Sequence, residues 1–235
     1  MTSLFLVSSA IYTSHGKCST EERIEQTKKT IKSIETYAPD STIVLLDAGE
    51  KSVDIDFGVE LIDYTQKEII KEPLNYYLLN NKDLKPDIII KSMLEIIMFE
   101  DYLRNHSLES YSRVFKLNGR YRLNSKFDYS RHLKAENKVL ILKPFMTDYI
   151  YSYTPPTLFL YETRCWSFDS NLKLNISNTY TKMKKDIISI SKTKTKRKGD
   201  IEHLFYKHLD KRLVEYTNIM GVEGYWAPQN IWLEE

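Results

Sequence analysis

A chain of 235 residues with 42% hydrophobic and 28% charged side chains can bury a sizeable core as one large domain or two small ones, which excludes disorder and low-complexity behaviour. Lysine and arginine (34) nearly balance aspartate and glutamate (32), and a net charge of +2 argues against nucleic acid as the main partner. The 7 glycines, about half the ordinary usage, have neither the spacing of a GxGxxG dinucleotide fingerprint nor that of a GxxxxGK[ST] phosphate loop, so a bound phosphate needs another cradle.

Leu4 to Val7 is a short apolar run suited to a parallel strand covered on both faces. The amino-terminal SLFLVSSAIY lacks a charged n-region and reads as that strand rather than as a signal peptide. After a polar loop from Ser8, Ser19 and Glu22 stand at capping-box spacing. They open a helix through about Thr36, with Ile24, Thr27, Ile31 and Ile34 on one face, and Ala38-Pro39-Asp40 stops it. Thr42 to Leu46 is a second buried strand, ending in Asp47-Ala48-Gly49. This βαβ unit implies a parallel sheet with a right-handed crossover.

Val59 to Ile62 reads as a third strand. Beyond a polar stretch, Pro86 stands near the first position of a long helix from about Asp87 to Arg104, apolar almost all round and so expected against the sheet. Arg113 to Leu117 is a fourth strand, followed by the tight sequence Asn118-Gly119-Arg120-Tyr121. Val139 to Leu142 and Thr157 to Tyr161 are further strands, and a helix runs from about Ile176 to Ser191. Lys192 to Lys198 (KTKTKRK) reads as a solvated loop or as a local anion or membrane-surface patch. Asp200 is the expected N-cap of a last helix. The fold class is α/β: a single Rossmann-like domain with a mostly parallel central sheet flanked by helices and a more irregular second half.

No window approaches roughly 18 uninterrupted apolar residues, so no membrane span is expected. Cys18 and Cys165 form neither a CxxC nor a metal spacing. Without a secretion signal the chain reads as cytoplasmic with reduced thiols, and the sequons at Asn105 and Asn175 are discounted.

In open α/β sheets, ligands bind at the carboxyl ends of the strands. Those ends carry Ser8, Ser9 and Ala10, with Arg23 on the next helix, then Asp47, then Lys116 to Tyr121, then Glu162-Thr163-Arg164-Cys165-Trp166. The last helix opens with Asp200-Ile201-Glu202-His203. Acids, arginines and hydroxyls gather at these ends while the strands stay apolar, the pattern of a polar site on a rigid scaffold.

SSAIYTS followed by Arg23-Ile24-Glu25-Gln26-Thr27, TIKSIETYAPDSTIVLLDAG, FKLNGRY, and IEHLFYKHL followed by GVEGYWAP run along nearly the whole chain in that order. Together they resemble nucleotide-sugar glycosyltransferases of the GT-A type, most of all the small enzymes of large DNA viruses and of bacterial surface-polysaccharide loci. The resemblance implies a single GT-A-like domain in which residues 1–121 bind a UDP- or GDP-sugar and residues 122–235 bind a glycan acceptor. It implies that Ser8, Ser9 and Ala10 line the nucleotide beside Arg23, that Asp47 accepts from the base or ribose, and that Lys91 and Ser92 come near the nucleotide. It also puts the Asn118-Gly119-Arg120 turn where these enzymes carry Asp-x-Asp.

There the sequence departs from the family pattern. Asp-x-Asp holds a divalent cation that neutralises the sugar diphosphate, because two hard oxygen ligands suit Mn²⁺ or Mg²⁺. Asn-Gly-Arg offers one such oxygen and a guanidinium, so Arg120 is expected to neutralise the diphosphate directly through paired hydrogen bonds, and a divalent metal stays an open question. A literal Asp54-Ile55-Asp56 falls just after the second strand, too early for the family position; it binds metal or is an exposed loop.

Glu202 is the candidate catalytic base. In an inverting transfer a carboxylate removes the acceptor hydroxyl proton as that oxygen attacks the anomeric carbon. The first turn of a helix keeps such a carboxylate ionised. His203 beside it contacts the diphosphate or a metal, or is a structural histidine; Glu202 itself otherwise caps the helix. Glu162 and Arg164 hold acceptor or diphosphate, or form a structural ion pair. Trp166, Tyr225 and Trp226 are candidate sugar-stacking platforms, with core packing as the alternative. Tyr149, Tyr151 and Tyr153 share one face of an extended segment and either line an acceptor groove or cover the core. The expectation is a transferase working by direct displacement. The alternatives are a catalytically idle GT-A-like module that binds glycan or nucleotide, and another Rossmann-like transferase, which the missing glycine-rich first loop disfavours.

Overall fold

The computed structural model describes residues 2–14, 17–80, 88–147, 158–192, 199–226 and 231–234. The extended tyrosine segment at Tyr149–Tyr153, the Pro86 helix start, the run 193–198 and the side chain of Trp226 lie outside the described residues.

Strand β1 (Thr2–Ser9) pairs in parallel with β2 (Thr42–Asp47) on one side and β4 (Tyr111–Asn118) on the other. β3 (Glu60–Asp63) continues the parallel set beyond β2. On the far side, β9 (Cys165–Asp169) runs antiparallel to both β4 and β6 (Val139–Leu142), and β10 (Val214–Thr217) lies parallel to β6. The seven-stranded order is β10-β6-β9-β4-β1-β2-β3, mostly parallel and drawing on residues both before and after position 121.

Both faces are apolar because the strand periodicity sends alternate side chains to opposite sides. Leu4, Leu6, Val44, Leu46 and Val114 face one core layer. That layer is closed by α3 (Ile88–Asn105), α5 (Lys173–Ser191) and α6 (Ile201–His208). Phe5, Val7, Ile43, Leu45, Phe115 and Leu117 face the other. There α1 (Thr20–Tyr37) and β5 (Tyr121–Leu123) cover them, together with β11 (Val222–Trp226). β11 sits between β5 and β12 (Ile231–Glu234) in a small antiparallel sheet.

The local signals explain the helix ends. Ser19 and Glu22 make the reciprocal capping box that starts α1, and the Asp200 side chain accepts from the His203 amide at 2.8 Å to start α6. The sequence expectation at Thr157–Tyr161 is corrected. Among the described residues of that stretch the strand is β8 (Phe159–Leu160), and it pairs with β7 (Phe145–Met146) in a half-exposed ribbon outside the main sheet. The central place is taken by β9, whose Trp166 is 0% exposed among Phe168, Tyr180 and Phe205. Helix α2 (Glu68–Asn80), read from sequence as a polar stretch, forms despite Pro73, because Ile70 and Tyr77 bury one face in the core. A short α4 (Tyr129–Lys134) completes the described α-helices. Among the described residues, no helix is long and apolar enough to cross a membrane.

Candidate functional site

From β1 the chain passes to β2 and β3 in one direction, while β4 lies on the other side of β1. The carboxyl ends of β1 and β4 therefore flank a topological switch point, where open sheets leave a crevice. A cleft lies there, lined by Ser8, Ser9, Ala10 and Arg23, by Lys91 and Glu95 of α3, and by Asn118, Gly119 and Arg120. Eight residues expected at a nucleotide sugar thus meet in one cleft: Ser8, Ser9, Ala10, Arg23, Lys91, Asn118, Gly119 and Arg120.

Gly119 is fitted closely. Its amide donates to the Ser8 carbonyl at 2.8 Å, and a Cβ there would stand 3.2 Å from that oxygen. The turn is thereby laced to the end of β1, and Arg120 projects beside the cleft. Arg23 is buried, and its guanidinium donates to the carbonyls of Cys18 at 3.3 Å and Ala10 at 3.4 Å. Burial, reinforced by the nearby Arg120 guanidinium, holds the pKa of Arg23 below its usual value. Two guanidiniums that repel each other across a cleft, with Lys91 on the facing helix, make a site suited to a multivalent anion.

Four sequence candidates stand elsewhere. Asp47 was expected to touch base or ribose, but it is 0% exposed, and its carboxylate is saturated by its own chain. It accepts from the Ser9 hydroxyl at 2.6 Å, the Ile11 amide at 2.9 Å and the Gly49 amide at 3.0 Å. Burial pushes its pKa up against those hydrogen bonds, which tie it to the Ser9–Ile11 wall. Ser92 points away from the cleft and accepts from the Ile201 amide at 3.1 Å, fixing α6 to α3. His203 is buried, its Nδ1 within 2.7 and 2.9 Å of the two Asp200 oxygens, in keeping with a structural histidine. Trp166 is likewise a core residue with no face open to a sugar. Glu162 and Arg164 form an ion pair at 3.0 Å, with the Arg164 guanidinium 5.4 Å from the Tyr121 ring centre.

Two residues given no role in the sequence reading organise the site. Lys116, on the central strand, is 1% exposed and reaches three oxygens from three parts of the chain. It pairs with Glu95 Oε1 at 2.5 Å and donates to Asn118 Oδ1 and to the Thr163 carbonyl. Asn118 Oδ1 also accepts from the Ser8 hydroxyl at 3.0 Å. Glu95 is the one acidic side chain among the described residues that line the cleft. A lysine in an apolar strand and a glutamate in an apolar helix were visible as exceptions to the pattern; their pairing was not.

Glu202 sits half-buried in the first turn of α6, behind this pair, and Thr163 Oγ1 donates to its Oε1 at 3.4 Å. It does not line the cleft itself. Burial, with the charges of Asp200, Glu95 and Glu162, raises its pKa well above the carboxylate range. A carboxyl tuned toward neutrality is suited to moving a proton.

The donor set does not fit the divalent metal that the GT-A resemblance implies. The single hard oxygen of the Asn118-Gly119-Arg120 turn already accepts from two donors, one of them an ammonium, and a guanidinium follows it. Among the described residues, no group of three or more His, Cys, Asp or Glu side chains converges on one point. Asp54 and Asp56 diverge: Asp54 accepts from the Tyr12 hydroxyl, and Asp56 from the Gly58 amide at 2.7 Å.

No family model matches the chain, and no curated protein does. Among solved structures, the chain is similar to the apo form of mouse xyloside xylosyltransferase 1, with a TM-score of 0.47 and 10% identity over 92% of this chain and 84% of that one.

Proposed function

We propose that the chain is a glycosyltransferase that moves a sugar from a nucleoside-diphosphate sugar to a glycan acceptor by direct displacement. One observation carries the reading: Arg23, Lys91 and Arg120, together with Ser8 and Ser9, line a crevice at the switch point between β1 and β4. A diphosphate there finds the positive charges of Arg120, Arg23 and Lys91, which neutralise it as ligand and as leaving group without a metal.

In this reading the acceptor hydroxyl oxygen attacks the anomeric carbon while the bond from that carbon to the diphosphate oxygen breaks. The hydroxyl proton is relayed to Glu202, which stands behind the cleft lining, and Arg23 and Arg120 hold the departing nucleoside diphosphate. Glu95, fixed by Lys116, accepts from hydroxyls of the donor sugar. Asp47 and Lys116 are positioning residues. Asp47 shapes the nucleotide wall, and Lys116 sets Asn118 and Glu95.

The saturated Asn118 oxygen favours a second reading, a GT-A-like module that binds nucleotide or glycan without turnover. Incubation with UDP- and GDP-sugars separates the two. A transferase releases free nucleoside diphosphate slowly to water even without acceptor, whereas a module that binds these sugars and releases none supports the second reading.

A further inference from the structure

A second concavity, of about 240 Å³, lies between α1 and the sheet formed by β5, β11 and β12, and Arg120 belongs to both it and the cleft. Strand pairing explains its lining. Tyr225 and Trp232 are direct cross-strand partners, Glu223 is two residues before Tyr225, and Arg122 lies opposite Glu223. The four side chains therefore share one sheet face, and α1 presents Glu25 and Gln26 toward them.

The chemistry of this lining differs from that of the cleft. The lining carries three cations (Lys29, Arg120, Arg122) and three anions (Glu22, Glu25, Glu223), with Arg122 paired to Glu223 at 2.6 Å and Lys29 to Glu25 at 3.3 Å, so it has no net charge to favour a phosphate. What remains is a set of directional hydrogen-bonding groups around a flat apolar ring. Trp232 leaves 56% of its surface open, with the Arg122 guanidinium 5.4 Å from the ring centre. An uncharged ligand with one apolar C–H face and a hydroxylated rim satisfies such a lining, and a pyranose is that ligand. The volume is below the ~300–1,000 Å³ of sites that enclose a drug-sized molecule, which suits one sugar ring with the rest of its chain outside.

We propose that this concavity is a carbohydrate subsite, in which Trp232 stacks on the C–H face of a pyranose while Glu25, Gln26 and Glu223 bond its hydroxyls. Its sharing of Arg120 with the cleft makes the bound glycan the acceptor; that assignment rests on the transferase reading, whereas binding at Trp232 does not.

The test follows the tryptophan indole N–H signals of the ¹⁵N-labelled full chain during titration with methyl glycosides of glucose, galactose, mannose, xylose and N-acetylglucosamine at millimolar concentration. Trp232→Phe identifies the Trp232 signal by its loss. The expected result is that at least one glycoside moves that signal and leaves the buried Trp166 signal in place. Trp232→Ala weakens that glycoside about tenfold, and Trp232→Phe retains most of the affinity. The proposal is overturned if no glycoside moves the signal, or if Trp232→Ala binds as tightly as the parent. Nucleotide-sugar binding to the unsubstituted protein keeps the two readings apart. Glycoside binding with no nucleotide-sugar response leaves the subsite and removes the transferase, and the opposite pair of results does the reverse.

Discussion

Lys116 Nζ meets Glu95 Oε1 at 2.5 Å at the floor of the cleft, the lysine shut off from water and the glutamate mostly so, with side-chain exposures of 1% and 17%. A buried pair of this kind is costly to break from one side, because the remaining charge loses its partner without regaining solvent. Lys116→Met is expected to destabilise the fold by about 3 kcal/mol and to weaken nucleotide-sugar binding by releasing Asn118. Adding Glu95→Gln to it should restore part of the stability. Urea unfolding of the two single variants and the double variant measures that coupling, and strictly additive losses would show that the pair is energetically idle.

Arg120 and Arg23 repel each other across the cleft, so removing one costs the fold little and costs the ligand much. Arg120→Ala is expected to weaken a nucleoside-diphosphate sugar by roughly 10- to 100-fold, the ~1.5–3 kcal/mol of hydrogen bonds to a charged group. Arg120→Lys should recover only part of this, because an ammonium lacks the planar fork. Calorimetric titration of the three proteins with the same ligand reads these differences.

The raised pKa of Glu202 makes both stability and rate depend on pH. Between the ordinary glutamate value, ~4.3, and the raised folded value, the native state holds a proton that the unfolded chain has lost. Stability therefore falls as pH rises through that window. Glu202→Gln removes this cost. The variant should match the parent below about pH 4, exceed it in melting temperature above neutrality, and show no transfer. In the parent, the acid limb of kcat should lie well above the usual carboxylate range. A limb at the ordinary glutamate value would take Glu202 out of the base role.

Gly224 marks where β11 presses on the Arg120 turn: a Cβ there would stand 2.6 Å from the Arg120 carbonyl oxygen and 2.5 Å from Tyr121 Cδ1. Gly224→Ala is expected to cost about 1–3 kcal/mol through overpacking and to raise the dissociation constant for nucleotide sugar by shifting Arg120. Thermal unfolding and a binding titration on the same sample give both numbers. An alanine variant with parent-like stability would mean that the hairpin can step away freely.

Legibility in the sequence followed the range of the interactions. The Ser19–Glu22 box and the Asp200 cap are local, and the runs at Leu4–Val7 and Thr42–Leu46 are apolar because both faces are covered; all were readable directly. β9 was not, since CWSFD mixes polar and apolar residues and gains its central place only by pairing with β4 and β6. Asp47 looked like a ligand-binding acid because strand ends usually are; only the fold brings three donors to it. Lys116 and Glu95 are 21 positions apart, and no spacing rule links a strand lysine to a helix glutamate. Trp232 went unread for the same reason, because its meaning comes from α1 across the groove.

The most direct test of the central claim is a thermal-shift panel of UDP- and GDP-sugars, with S-adenosylmethionine as control, run with Mn²⁺ and again with a chelator. At least one nucleotide sugar should raise the melting temperature, equally in both conditions, because side-chain cations hold the diphosphate; S-adenosylmethionine should not. Stabilisation by no nucleotide sugar would contradict the function, and stabilisation only with Mn²⁺ would contradict the metal-free cleft.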